Sequence, residues 1–377
     1  MSAPDDLTRR DMFAEIKKLC VPNNVTNWLH LVGDYAVLAA TIAVCMTAYH
    51  AALERGVSLW WLAPLYVASV VVIGAWVQSR LSGLVHEASH YSLFKSRKLN
   101  DFAANWFLLF PIFGVIANYR AGHWSHHRHV NDVERDPDLA RLLKHHPRNF
   151  PISKGRFFFE YVLLQLSPHK TFSYLKGRAL YVAIPGTQDQ GAQSDALGPR
   201  TVTALRVLYY GLLATVLTVM HWWPHYFLLW IVPFVTVYPG VIFLREIAHH
   251  GNYPDDGDFT NSRVYRARWW ERGVFFPYSE NNHVLHHMFP TIPHYWLEDA
   301  HQVMLRYPPY REQVVICNGY FVKADPNCSD PTVLDLLAAP AQAYLRRRDA
   351  AADEAEGKIR TATGDEVGAR PLAVADT

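Results

Sequence analysis

The chain has 377 residues, half of them hydrophobic, 14% aromatic and only 19% charged, with a formal net charge of +2. So weak a charge excludes electrostatic capture of nucleic acid, and so few charged residues set the chain apart from an ordinary soluble domain. Its four cysteines, Cys20, Cys45, Cys317 and Cys328, form no Cys-x-x-Cys pair, which argues against a disulfide framework or a cysteine-bound zinc site.

The N-terminal "MSAPDDLTRRDMF" is polar and lacks the apolar core of a signal peptide, so residues 1–25 are expected to form a cytoplasmic segment. Two apolar stretches follow: "YAVLAATIAVCMTAYHAAL" at 35–53 and the charge-free "GVSLWWLAPLYVASVVVIGAWVQS" at 56–79. At about 1.5 Å per residue, such lengths suit a hydrocarbon core of roughly 30 Å. Residues 207–244 also lack Asp, Glu, Lys and Arg, and "HWWPH" at 221–225 supplies a turn whose tryptophans suit a membrane–water interface. Two helical hairpins, making four spanning helices, are expected.

The stretch "FAANWFLLFPIFGVIANY" at 102–119 is interrupted by Pro111 and Gly114. As a fifth crossing it would place the histidines before and after it on opposite faces. As a re-entrant segment it keeps them on one face, together with Arg80, Lys95, Arg97, Lys98, Arg120, Arg128 and Arg245. The positive-inside tendency makes that face cytoplasmic, and the re-entrant reading is the consistent one. Residues 155–185 mix aromatic and basic residues and are expected to form an interfacial helix. The tail from 346 has no aromatic residue and is expected to be disordered, which leaves 26–345 as the membrane domain. The expected fold is an all-α integral membrane protein whose cytoplasmic helical cap holds a His-rich site.

Histidine is the compositional outlier, at twenty residues. His86 and His90 stand at i and i+4 in "HEASH"; His123, His126 and His127 in "HWSHH" and His283, His286 and His287 in "HVLHH" stand at i, i+3 and i+4. On a helix each set shares a face. His249 and His250 follow the last apolar stretch in "REIAHHGN". Lone histidines near membrane ends, such as His30, His50, His221 and His225, read as interfacial residues. Three boxes on one face read as metal ligands. Imidazole suits zinc, copper, iron and nickel, and eight or nine imidazoles exceed one four-coordinate zinc but suit two ions.

These boxes resemble those of the membrane-bound fatty acid desaturases and their hydroxylase relatives. The resemblance covers roughly residues 26 to 310 and rests on "HEASH", "HWSHHRHVNDVERDPD" and "NNHVLHHMFPTIPHYWL". It implies a di-iron centre, cycling between Fe2+ and Fe3+ with O2 as co-substrate, that removes hydrogen from an unactivated carbon chain. By that resemblance His86, His90, His123, His126, His127, His283, His286 and His287 are iron ligands. A ninth family histidine follows the last span; His250 is preferred, with His249 where relatives often carry Glu. His129 stands where relatives often have an aromatic residue and is read as structural.

Glu87, Asp132, Asp136, Asp138 and Asn281 are candidates for orienting the liganding rings. His86-Glu87-x-x-His90 alone also matches a zinc-protease signature, but that reading leaves the other two boxes without a role. The sequence contains no His-Pro-Gly-Gly haem motif, so the resemblance implies a separate ferredoxin- or cytochrome-type electron donor with its reductase. An aliphatic chain, fatty acyl or lipid, is the expected substrate. Hydroxylation, or a small non-acyl substrate, stays open. Metal transport is the distant alternative, and would place the histidines at mid-membrane. The expected location is a bacterial inner membrane with the boxes cytoplasmic.

Overall fold

The computed structural model describes residues 6–132, 134–140, 150–183, 196–252 and 257–340. The expected disordered tail, 346–377, lies outside the described residues. The described chain is mostly helical. Helix α1 (Arg9–Leu19) starts at Thr8, whose hydroxyl accepts from the Asp11 amide at 3.3 Å, and buries Met12 and Ile16.

Among the described residues, four helices are long and apolar enough to cross a membrane: α2 (Thr26–Glu54), α3 (Leu59–Ser89), α4 (Pro199–Val219) and α5 (Trp223–His250). Their outer faces leave Leu29, Val67, Val207 and Phe227 exposed. Such apolar surface on long helices suits lipid rather than water. Their inner faces meet in a core that includes Ile73, Val77, Leu84, Leu108 and Leu229.

Two boundaries differ from the sequence expectation. Helix α2 begins nine residues earlier, at Thr26 rather than 35, and so contains Asp34. That carboxylate is tolerated because Arg80 of α3 donates to it at 2.6 Å and the Tyr278 hydroxyl donates to it as well. Helix α3 runs ten residues beyond 79, so His86 lies on the spanning helix itself.

The interrupted stretch forms two helical segments, α6 (Arg97–Ile112) and α7 (Ile116–Arg128), bent by 94° at a break around Phe113, which is left-handed at φ 66°. The Asn105 side chain accepts from the Ile116 amide at 2.9 Å and satisfies the start of α7. The chain thus leaves α3 at His90 and comes back with His123 beside it, ring centroids 4.8 Å apart.

Beyond α5 the chain forms strand β1 (Val264–Arg266), paired in parallel with β2 (Ile316–Asn318). Helix α8 (His283–Met288) carries the third box, and an isolated bridge between Val264 and Asn282 ties its start to β1. A second core, including Phe243, Ile247, Tyr265, Tyr320 and Leu334, fastens this C-terminal region to α5.

Candidate metal centre

Among the described residues, nine histidines gather into two groups. The first is His86, His90, His123, His127 and His286; the second is His126, His250, His283 and His287. Within each group the candidate ligand atoms all lie within 4.8 Å of one another.

Helix geometry explains the division. At about 100° per residue, i and i+4 diverge by only about 40°, whereas the adjacent i+3 and i+4 diverge by about 100°. His123 and His127 therefore share one group while His126 turns to the other. The third box does the reverse: His283 and His287 enter the second group and His286 the first. Each His-x-x-His-His box hands its middle histidine to the other's group.

The donor set suits transition-metal ions. Nε2 of His127 lies 3.1 Å from Nε2 of His123 and 3.0 Å from that of His286. In the second group, Nε2 of His283 lies 3.1 Å from Nε2 of both His250 and His287. Metal–nitrogen bonds of about 2.0–2.1 Å set at right angles place neighbouring ligand nitrogens about 3 Å apart. Among the described residues, His86 Nε2 and both ring nitrogens of His90 are buried without a hydrogen-bond partner. Buried polar atoms left so are costly unless something else satisfies them. Burial, reinforced by neighbouring imidazoles, holds His90, His283, His286 and His287 well below the usual histidine range. They are neutral at pH 7, the form that binds a metal.

Asp136 reaches one of the rings directly. His126 Nδ1–H donates to it at 2.9 and 3.0 Å from its two oxygens, which leaves the Nε2 lone pair for the centre. The Asn131, Asp138 and Leu139 amides donate to the same carboxylate at 3.0, 2.9 and 3.2 Å and fix it.

Three other expected orienting residues reach different partners. Glu87, one residue from His86, accepts the His294 amide at 3.0 Å. Asp132 caps its own exposed turn, accepting from the Glu134 and Arg135 amides and the Arg135 guanidinium. Asn281 faces β1, where its side chain donates to Tyr265 O at 3.3 Å.

His249 stacks on His283 at 3.6 Å between centroids and lies outside both groups, as does His129. The sequence reading missed Glu280, whose carboxylate lies 3.9 Å from His86 Nδ1 and 3.0 Å from Arg245. Its only local signal is its place three residues before His283. A cavity of about 80 Å³ opens beside the histidines, with Tyr119, Leu139, Ile242, Arg245 and Glu246 in its wall.

Comparison with known proteins places these features in a family. A family model described as fatty acid desaturase matches residues 58–318, a span that contains all nine histidines. The chain is 28% identical over 315 residues to dihydrorhizobitoxine desaturase of Bradyrhizobium elkanii, covering 80% of this chain and 82% of that protein. It is 25% identical over 326 residues to an endoplasmic reticulum omega-3 fatty acid desaturase of Vigna radiata var. radiata, covering 79% and 77%. It is 24% identical over 326 residues to an endoplasmic reticulum omega-6 fatty acid desaturase, isozyme 2, of Glycine max, covering 76% and 78%.

Proposed function

Because this chain belongs to the fatty acid desaturase family, and is an oxidoreductase of that type, we propose that it is an O2-dependent di-iron desaturase that introduces a double bond into an aliphatic chain. The observation that carries this reading is the sorting of nine imidazoles, six buried and three half-buried, into groups of five and four. His86, His90, His123, His127 and His286 would hold one iron, and His126, His250, His283 and His287 the other. Such a pair supplies, with O2 and two electrons, the oxidising power to remove hydrogen from two adjacent carbons.

The chain's own residues do the rest. Asp136 holds His126 in the tautomer that presents Nε2, and Glu280 sets negative charge beside His86. Burial of the rings keeps bulk water from the reacting atoms. The electrons come from a separate ferredoxin- or cytochrome-type protein with its reductase.

The topology we propose has two hairpins, α2–α3 and α4–α5, with α6 and α7 dipping into the membrane and returning. Both groups then lie in a helical cap on the cytoplasmic face of a bacterial inner membrane, with 1–25 on that side and 26–345 as one membrane domain. The basic residues Arg80, Lys95, Arg97, Lys98 and Arg128 support that orientation.

A fatty acyl or lipid chain is the first substrate reading. The wall of the cavity favours a second, a small non-acyl substrate, since Arg245, Glu246, Glu280 and Asp138 bring charge to it. One relative is named for dihydrorhizobitoxine rather than for a fatty acid. Mass spectrometry of host lipids and small metabolites, with and without the gene, decides between them. Metal analysis of the purified protein should give about two irons per chain. A single zinc, or products that gain oxygen without a double bond, would overturn the di-iron desaturase reading.

A further inference from the structure

The imidazoles sit at helix ends, and helix ends leave carbonyls without intrahelical partners. At the end of α3, the Ala88 and Ser89 carbonyls accept from Arg120, at 3.1 Å from Nη2 and 3.0 Å from Nε. Trp124 adds an indole N–H to Ser89 O at 3.2 Å. Arg120 is fully buried and its charge is matched by Asp101, 2.5 Å away. It stands on α7, three residues before His123, so one guanidinium joins the first box to the second.

The end of α5 is built the same way from a different segment. Arg263 donates to Ala248 O at 2.7 Å, Gly251 O at 2.5 Å and Asn252 O at 2.7 Å. The Tyr265 hydroxyl adds a bond to Ala248 O at 2.5 Å. Arg263 is 1% exposed, and its own carbonyl accepts the Val284 amide at 3.4 Å, beside His283. One residue therefore joins the end of α5, with His250, to the helix of the third box, through its guanidinium on one side and its backbone carbonyl on the other. In both places a cation meets the negative end of a helix dipole.

We propose that Arg120 and Arg263 are positioning residues, each dedicated to one metal: Arg120 to the five-histidine group and Arg263 to the four-histidine group. The inference rests on the two-metal reading above. Arg120 clasps the turn that bears His86 and His90, both in the first group. Arg263 clasps the turn that bears His250 and steadies His283, both in the second. Lysine keeps the charge but cannot span several carbonyls with a planar fork.

The test is a Co2+ titration of the metal-free full-length protein in detergent, read by visible absorption and bound-metal analysis, with His90→Ala and His250→Ala marking the two binding steps. Arg263→Lys should weaken the four-histidine step about 10–100-fold and leave the other nearly in place, and Arg120→Lys should do the converse. Tyr265→Phe and Trp124→Phe remove one bond to the same carbonyls while keeping an aromatic ring. They should shift the same steps about 2–10-fold, the worth of one hydrogen bond, and they decide the matter if the arginine variants do not fold. Folded variants that weaken both steps equally, or neither, overturn the assignment. Wild-type protein that binds fewer than two Co2+ overturns the two-metal reading and this inference with it; two ions with unselective variants overturn the inference alone.

Discussion

His126 and Asp136 are joined through one ring nitrogen and both carboxylate oxygens, at 2.9 and 3.0 Å, and both side chains are buried. Asparagine at 136 keeps the shape but can turn an amide N–H toward Nδ1 and favour the other tautomer. Asp136→Asn should lower metal occupancy of the four-histidine group about 10–100-fold, the range for partners that orient a ligand. Metal content at graded chelator concentrations checks it; occupancy equal to wild type would remove Asp136 from the site.

His286 is shared out to the first group although its box neighbours serve the second. His286→Ala should abolish turnover and lower the iron content. His221→Ala, at an exposed turn outside both groups, should leave both nearly unchanged. Product formation and iron analysis on the two proteins, side by side, make the comparison.

Glu87→Gln separates the desaturase from the zinc-protease reading. The carboxylate accepts a backbone amide of the loop at His294, and glutamine keeps an acceptor there. Most of the iron and part of the activity should remain. Loss of all activity with a single zinc still bound would point to a general base instead.

Acid should destabilise the metal-free protein. His294 is pushed down to about 3 by burial, and His90, His283, His286 and His287 are also held low by burial. Unfolded histidine titrates near 6.5, so below that value the unfolded chain takes up protons that the folded one refuses. Stability is full above about 6.5 and falls as pH drops toward the folded values, by up to about 1.4 kcal/mol per group per pH unit. Thermal unfolding of the metal-free protein in detergent at pH 7.5, 6 and 5 should show a falling midpoint.

Topology can be read from accessibility. Lys95 and Glu134 are exposed on either side of the bent pair α6–α7. Lys95→Cys and Glu134→Cys, each alone in a cysteine-free background, should label from the same face of sealed vesicles. Labelling from opposite faces would make α6–α7 a crossing and defeat the proposed membrane arrangement.

The parts that were legible in the sequence are those with local periodicity. Charge-free runs announced the four long helices, Pro111 and Gly114 announced the break, and the i, i+3, i+4 spacing announced the boxes. What was not legible depends on partners far along the chain. Asp34 made α2 look shorter than it is, because its partners Arg80 and Tyr278 are 46 and 244 residues away. Glu87 and Asn281 stand within two residues of box histidines in sequence yet turn to His294 and Tyr265. Glu280 approaches His86 only because the loop before the third box folds back onto α3. The division of nine histidines into two groups follows from helix angles, but only once the helices' mutual orientation is known.

The exchange of middle histidines between the second and third boxes has a consequence for biosynthesis. The first group lacks His286, and the second lacks His283 and His287, until the ribosome has passed residue 287. Neither set of donors can close on a shorter nascent chain, even with every spanning helix already made. Complete loading of the proposed centre is thereby expected only once residue 287 has been made, and a chain terminated earlier would carry an open set of imidazoles.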